Sequence, residues 1–568
     1  MSTAPTPAIR PTAGLDDGAA TPRRLRREVG GVALMCFSAG GIVGAGWLFA
    51  ALFASQIAGP AALVSWLIGG AAVMLLALIY AELGGMYPVA AGTIRFPLYA
   101  FGGLLGFAGG WFAFLATVTA APLEVEAALI YANNYAHTFC LDQACTKGLT
   151  PTGYLLAAVA MLVFAAINVM GVKWLSQTNK WIVFLKLAIP ALAVIVLLAT
   201  SFHPGNFSTS GGFMPFGWKG VLSALTGGGV IFSYLGFQTA VNFGAESRNP
   251  RRDIPFAVIG SMVIAFVLYV GLQVAFTAAL SPASLAKGWR LIAFTGSGGP
   301  FAGLATALGL GWLAFLLYAD SVISPGAVAL IALGGNPRLT FALARSRYLP
   351  RFLGSLSGRG VPLNAIILAF VCGLLVFLPF PGWQRLAQFL LAAGVMTYAL
   401  APLALGALRL QEPDRTRPYR LPGAIALAPT GFIVANEIIL ITGWAIVWKL
   451  MVAILIGFAL LAISAIASRP KRRRSLDWIS AIWLWPYLIG ITVLSYWSSF
   501  NVAKPESLPM VAIKGPIGVL PFGWDLVAMA VFSLAIYVLA VRMRLSAARV
   551  QELVGETASE AEPIPTRP

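Results

Sequence analysis

The chain has 568 residues, of which 59% are hydrophobic and only 10% charged. A soluble domain carries roughly 25% charged residues, so water cannot be the solvent for most of this surface, and a soluble enzyme or binding module is excluded. The formal net charge of +18 points to a nucleic-acid partner only if the basic residues cluster as a binding face, and their placement argues otherwise.

In chain order, residues 1–28 are polar and rich in Pro and Ala; they are expected to be a disordered cytoplasmic segment, with no cleavable signal pattern. Apolar runs such as 32–53, 62–80, 154–167 and 254–280 then follow almost without ionisable side chains. Since about 20 such residues cross a bilayer, the pattern predicts about 14 spans. Their expected starts lie near residues 30, 57, 101, 152, 181, 219, 255, 300, 362, 386, 421, 448, 478 and 521. Residues 29–410 read as a ten-helix unit, 411–545 as additional transmembrane helices, and 546–568 as a disordered cytoplasmic tail.

With the N-terminus placed in the cytoplasm, 29 of the 38 Lys and Arg residues fall on the inner side, eight fall outside, and Lys186 lies within a span. That asymmetry is the positive-inside rule. It predicts a multi-pass protein of the bacterial plasma membrane with both termini cytoplasmic, the lipid bilayer as partner and no nucleic acid. The basic run at 469–474 reads as a topogenic loop. Cys36 and Cys372 sit in spans as small apolar fillers. Cys140 and Cys145 share one outer loop, where pairing and free thiols are both open.

Two spans break the apolar pattern. The first carries Gly40-Gly41-Ile42-Val43-Gly44-Ala45-Gly46, and the sixth carries Gly227-Gly228-Gly229 and then Tyr234-Leu235-Gly236-Phe237. Glycine weakens helix interiors. Close helix packing of the small-xxx-small kind is one use of it in membranes. The pairing of first with sixth favours another: interrupted helices at matching places in two five-helix halves point to a midplane substrate site. Backbone freed there has N–H groups for a carboxylate and carbonyls for an ammonium. An α-amino acid has both.

Flanking motifs carry a resemblance. Gly41-Ile42-Val43-Gly44-Ala45-Gly46 with Phe49, Tyr80-Ala81-Glu82-Leu83 with Tyr87-Pro88, and Phe232 to Phe237 followed by Glu246 to Pro255 occur in that order. Arg347-Tyr348-Leu349-Pro350, Val361-Pro362-Leu363-Asn364 and Arg417-Pro418-Tyr419-Arg420-Leu421-Pro422 follow. Together they resemble permeases of the amino acid–polyamine–organocation superfamily over residues 30–425. Trp47-Leu48-Phe49 with Asp320-Ser321-Val322-Ile323-Ser324-Pro325 looks most like its aspartate–proton symporter branch. The resemblance implies an all-α, LeuT-type fold with a 5+5 inverted repeat, broken helices 1 and 6, and about 4 extra C-terminal helices. It also implies that amides of Val43, Gly44, Ala45 and Gly46 bind the substrate carboxylate. Carbonyls of Ile42, Phe232, Ser233 and Leu235 would meet the ammonium, with Gly236 in the same unwound stretch. Two positions depart from the family. Ala45 stands where many relatives have Ser or Thr, and Gln238 stands where some exchangers carry Glu, which weighs against carboxylate-gated exchange.

Ionisable residues inside spans are costly and usually functional; here they are Glu82, Glu124, Glu126, Lys186, Asp320 and Glu437. Lys186 either snorkels to the inner face or, as the resemblance implies, occupies the place of a sodium ion in sodium-coupled relatives. Burial disfavours a charged amine, so a lysine there can exchange protons. Asp320 and Ser324, four residues apart, share a helix face and are expected to join Lys186 in proton coupling. Glu124 and Glu126 point about 200° apart, one towards the central path and one to a neighbouring helix. Glu82 is expected to pair with a loop arginine, and Glu437 to be structural.

These readings predict a permease that takes up an amino acid by proton symport, with no cofactor beyond the proton gradient. An amino acid/amine exchanger and a sodium-coupled symporter are the alternatives, and an acidic substrate would draw its compensating charge from Lys186. An enzyme would need a convergent nucleophile, base or metal cluster, whereas His137 and His203 lie in outer loops. A channel would need a continuous polar ring.

Overall fold

Lipid has no hydrogen-bonding partner for the backbone, so an apolar run that crosses it must satisfy its N–H and C=O groups within the segment, as a helix. The computed structural model describes residues 29–89, 91–142, 145, 147–170, 173–292, 299–346, 348–357, 361–467, 475–501 and 518–560. The segment 1–28, Arg347 and the basic loop 469–474 lie outside them. Among the described residues, eleven helical stretches are long and apolar enough to cross a membrane. The first, Gly46–Met86, is divided by a 3-10 turn at Gly59–Ala61; with the interrupted sixth segment and the short ninth, fourteen spans follow in the expected order.

Span 1 has halves 1a (Gly31–Ile42) and 1b (Gly46–Ala58); spans 2 to 5 are Ala62–Met86, Gly103–Ala136, Pro151–Met170 and Lys173–Thr200. Span 6 comprises 6a (Gly217–Gly227), a single turn Val230–Ser233, and 6b (Gln238–Asn242). Spans 7 to 10 are Pro250–Ala279, Gly311–Arg345, Leu363–Val376 and Trp383–Gln411. Spans 11 to 14 are Ala424–Thr442, Trp444–Ala467, Leu484–Trp497 and Trp524–Arg542. The apolar crossing of span 5, Ile182–Thr200, starts where expected, and a polar stretch extends its helix back to Lys173. One start lies well away from expectation. Span 8 begins at Gly311 because Pro300–Ala307 folds as a separate short helix, ended before Gly309 (φ +75°).

The partners that a two-fold relation between spans 1–5 and 6–10 would bring together do meet. Span 2 packs on span 7, span 3 on span 8, and the breaks of spans 1 and 6 cross. Large apolar side chains such as Ile195, Val267, Phe315 and Val531 face outward, as a lipid-facing surface requires. On the face that carries the N-terminus, Glu82 is buried in an ion-paired network. Its two oxygens accept from Arg409 Nε at 2.9 Å and Nη2 at 2.6 Å, Leu421 N–H donates at 2.7 Å, and Arg417 Nε lies at 3.5 Å. This joins span 2 to the end of span 10 and the loop after it. On the other face Cys140 and Cys145 form a disulfide within the loop after span 3, which resolves the alternative left open above.

The tail departs from expectation. Residues Ala547–Glu560 form a helix rather than a disordered end. Val550, Leu553 and Thr557 recur at helical spacing and are buried against the loop helix Gly92–Phe101. Tyr99 Oη lies 2.8 Å from Thr557 Oγ1, Leu545 N–H donates to the Ala100 carbonyl at 3.1 Å, and Arg549 pairs with Asp477 at 3.5 Å. The overall polarity of the tail hid a short apolar stripe. Leu553→Asp is expected to release the helix, since burying an unpaired carboxylate in place of a core leucine costs several kcal/mol, roughly 3 or more. Tryptic cleavage after Arg549 in purified protein should then accelerate at least severalfold; equal rates would mean the contact contributes nothing.

Candidate functional site

The breaks follow from local chemistry. Span 1 leaves helical geometry at Val43 (φ −82°, ψ 90°) and resumes at Gly46, which takes the Gly44 and Ala45 amides out of the helical hydrogen-bond ladder. Gly44 N–H donates to the Ile42 carbonyl at 3.1 Å, and the same carbonyl accepts from Tyr269 Oη of span 7 at 3.1 Å. Span 6 breaks twice, at Gly229 (φ +77°) and at Gly236 (φ +125°). A Cβ on Gly236 would lie 2.4 Å from the Gly41 carbonyl oxygen and 2.5 Å from its carbon, so the two broken helices cross backbone to backbone. Gln238 folds back over this crossing: its Oε1 accepts from Gly236 N–H at 3.0 Å and from the Tyr398 hydroxyl.

Three spans bring buried charges to the broken span 1. Lys186 of span 5, 1% exposed, donates from Nζ to the Gly40 carbonyl at 2.7 Å, in the last turn of 1a. Glu124 of span 3 accepts the Ala45 N–H on Oε2 at 2.9 Å, and its other oxygen would lie 2.6 Å from a Cβ on Gly44. Asp320 of span 8 accepts from Ser324 Oγ at 2.8 Å, while its Oδ2 is buried without a hydrogen-bond partner among the described residues. Both carboxylates are close enough for their charges to act on Lys186. In an interior of low dielectric, such charges govern one another's protonation and placement more strongly than they would in water.

Around this cluster the site is closed. Val43 and Ala45 are fully buried. Ser233 donates to the Gly229 carbonyl at 2.9 Å and presses on span 1, since a Cβ on Gly46 would lie 2.4 Å from its Oγ. On the side facing away from the N-terminus, Trp383 lies between Phe49 and Phe232, with ring centroids at 4.9 and 5.6 Å. Towards the N-terminal face, Tyr80, Phe237 and Tyr398 stack on one another at 5.0 to 5.7 Å.

The family profile described as amino acid permease matches residues 29–460. The chain belongs to the amino acid permease family. Over 526 residues the permease is 33% identical to the glutamate/serine transporter AimA of Bacillus subtilis (strain 168), covering 91% of this chain and 94% of the relative. It is likewise 33% identical to the aspartate-proton symporter of that organism over 507 residues, 89% and 94% of the two chains. With human cationic amino acid transporter 4 it shares 27% over 426 residues, 71% and 63%. It is thus a multi-pass membrane protein of a transporter family, with the all-helical, broken-helix architecture that its motifs implied.

Within the permease, the residues expected at the substrate site converge on the crossing of spans 1 and 6. Val43, Gly44, Ala45 and Gly46 lie against Glu124 and Ser233, and Phe232 and Leu235 lie beside the break of span 6. Lys186, Asp320 and Ser324 stand behind span 1. Five of the expected groups are engaged within the chain: the Val43 amide donates to the Ala39 carbonyl, the Gly44 amide to the Ile42 carbonyl and the Ala45 amide to Glu124, while the Ile42 carbonyl also accepts from Tyr269 and the Phe232 carbonyl accepts from the Leu235 amide. Sequence reasoning placed one of Glu124 and Glu126 towards the central path without saying which. It missed Tyr269 and Trp383, because in a chain with 12% aromatic residues nothing local marks these two.

Proposed function

We propose that this permease is a proton-coupled symporter that takes an amino acid into the cytoplasm across a bacterial plasma membrane, with both termini cytoplasmic. The observation that supports it best is the Glu124 carboxylate seated on the Ala45 amide, beside a lysine tied to the same broken helix. This amide holds a carboxylate oxygen, the group an α-amino acid also presents, which supports the reading. An arriving substrate carboxylate competes with Glu124 for it. The displaced glutamate then lacks its donor in a buried place, and a proton, or a closer approach to Lys186, removes that cost. Substrate and proton thereby favour each other's binding, which is the requirement for symport. Lys186 adds the mechanical link. Its bond to Gly40 fastens 1a to span 5, and losing that bond frees 1a to swing.

Relatives are named for glutamate, serine and aspartate, so acidic and small hydroxyl amino acids are the first to test. Labelled substrate in proteoliposomes should accumulate under an imposed inward proton gradient without sodium. Accumulation that needs sodium instead, or uptake only against a preloaded amino acid or amine, would replace symport with proton by the corresponding alternative. The orientation rests on the 29-to-8 distribution of basic residues. Reporter fusions at the N-terminus and at loop 469–474 are expected to report the same, cytoplasmic, face; opposite faces would overturn the topology.

A further inference from the structure

Span 3 carries two buried carboxylates, and the scheme above uses only Glu124. Glu126 is 1% exposed, and its Oε2 has no hydrogen-bond partner among the described residues. A carboxylate at membrane depth is expensive, so its surroundings bear on what it does. It faces Tyr154 and the Gly382 backbone. Gly382 (φ +88°, ψ 142°) is where the chain turns into span 10, and a helix start leaves amide donors unsatisfied. Glu126 thus stands, from a different helix, at the end of span 10 where the dipole favours a negative charge.

The next residue is Trp383, 2% exposed. Its indole lies 4.9 Å from Phe49 and 5.9 Å from Phe53 in 1b, and 5.6 Å from Phe232 in the central turn of span 6. A Cβ on Gly229 would come within 3.1 Å of the ring, so the glycine that breaks span 6 also makes room for the indole. The ring therefore bridges both broken spans on the side of 1b and 6a. Its Nε1 has no hydrogen-bond partner among the described residues, so its position depends on ring contacts and on where its backbone is set. The turn before it is anchored as well: Lys449 Nζ donates to the Pro379 carbonyl at 2.6 Å, and Tyr154 packs on Phe377 at 5.9 Å.

We infer that Trp383 is the plug that closes the broken-helix site on the face opposite the N-terminus, and that Glu126 is a positioning residue that sets it through Gly382. This rests on the broken spans being the substrate site, and the test separates the two. Ser233→Cys, used only once its own uptake of the amino acid is measured, serves as reporter in a chain with Cys36→Ala and Cys372→Ala, the Cys140–Cys145 pair left intact. A membrane-impermeant maleimide is added from the face opposite the N-terminus, and the alkylation rate of the new thiol is measured.

With Trp383 present the rate is slow. Trp383→Ala should raise it about tenfold or more, a population shift worth roughly 1.4 kcal/mol, and Trp383→Phe should largely restore the slow rate. Glu126→Leu should raise it about threefold or more and raise KM for uptake more than it lowers the maximal rate. Glu126→Gln keeps a carbonyl oxygen for Gly382 and should behave as wild type. A saturating transported amino acid should slow alkylation in every variant. Failure of that protection would move the substrate site elsewhere. Protection with an unchanged rate in Trp383→Ala would reject the plug, and an accelerated Trp383→Ala beside an unchanged Glu126→Leu would reject the positioning role.

Discussion

Lys186→Ala is expected to abolish accumulation driven by a proton gradient, with the protein still inserted and folded. The ammonium is the buried cation on which the charges of Glu124 and Asp320 act, and it holds the Gly40 carbonyl at 2.7 Å. Removing one member of a buried charge group costs roughly 3–5 kcal/mol, because the partners stay behind uncompensated. Applied to the step that moves 1a, that is about two to almost four decades in rate. The two carboxylates can bind protons in the variant, so the loss falls on coupling more than on folding. Lys186→Arg should fail as well, because arginine does not lose its proton in this range and its planar fork does not fit a site shaped for a single donor. The measurement is uptake against external pH in proteoliposomes for wild type and both variants, with membrane yield and gel-filtration profile as the folding control. A Lys186→Ala protein that still concentrates substrate with an unchanged pH profile would make Lys186 structural and move the coupling ion to sodium near Asp320.

The architecture was legible in the sequence because the membrane imposes one rule on every segment. An apolar run of sufficient length becomes a helix, and the distribution of basic residues follows the bilayer. The breaks were legible for a related reason, since glycine clusters at matching places in two halves have few other uses. What remained hidden was direction. The 3.6-residue repeat separates Glu124 from Glu126, but it does not say which one meets span 1; that depends on how span 3 is rotated against span 8. The same limit hid Tyr269, whose hydroxyl reaches Ile42 across 227 positions. The tail helix was missed for the opposite reason: its stripe of Val550, Leu553 and Val554 was present, but the surrounding charge outweighed it in a reading by composition.

Gly236→Ala and Gly44→Val are expected to fail in different ways, and the difference tests whether the crossing of spans 1 and 6 is a structural joint with a site beside it. At Gly236 the backbone has φ +125°, a conformation that costs an alanine of order 1–3 kcal/mol. The new Cβ would also sit 2.4 Å from a backbone oxygen and 2.7 Å from the Ile42 nitrogen. Backbone cannot rotate aside as a side chain can, so the two helices must separate. The protein should accumulate poorly in membranes and aggregate on extraction. Gly44 has no such backbone constraint, and the atom its Cβ would meet is Glu124 Oε1 at 2.6 Å, the end of a flexible side chain. Glu124 can swing away at the cost of its bond from Ala45, so Gly44→Val should fold, insert and bind no substrate. Fluorescence-detected gel filtration reports the first outcome, and substrate binding by calorimetry on the monodisperse protein reports the second. A stable, active Gly236→Ala would mean the helices do not cross backbone to backbone, and wild-type affinity in Gly44→Val would place the substrate carboxylate away from the amides of span 1.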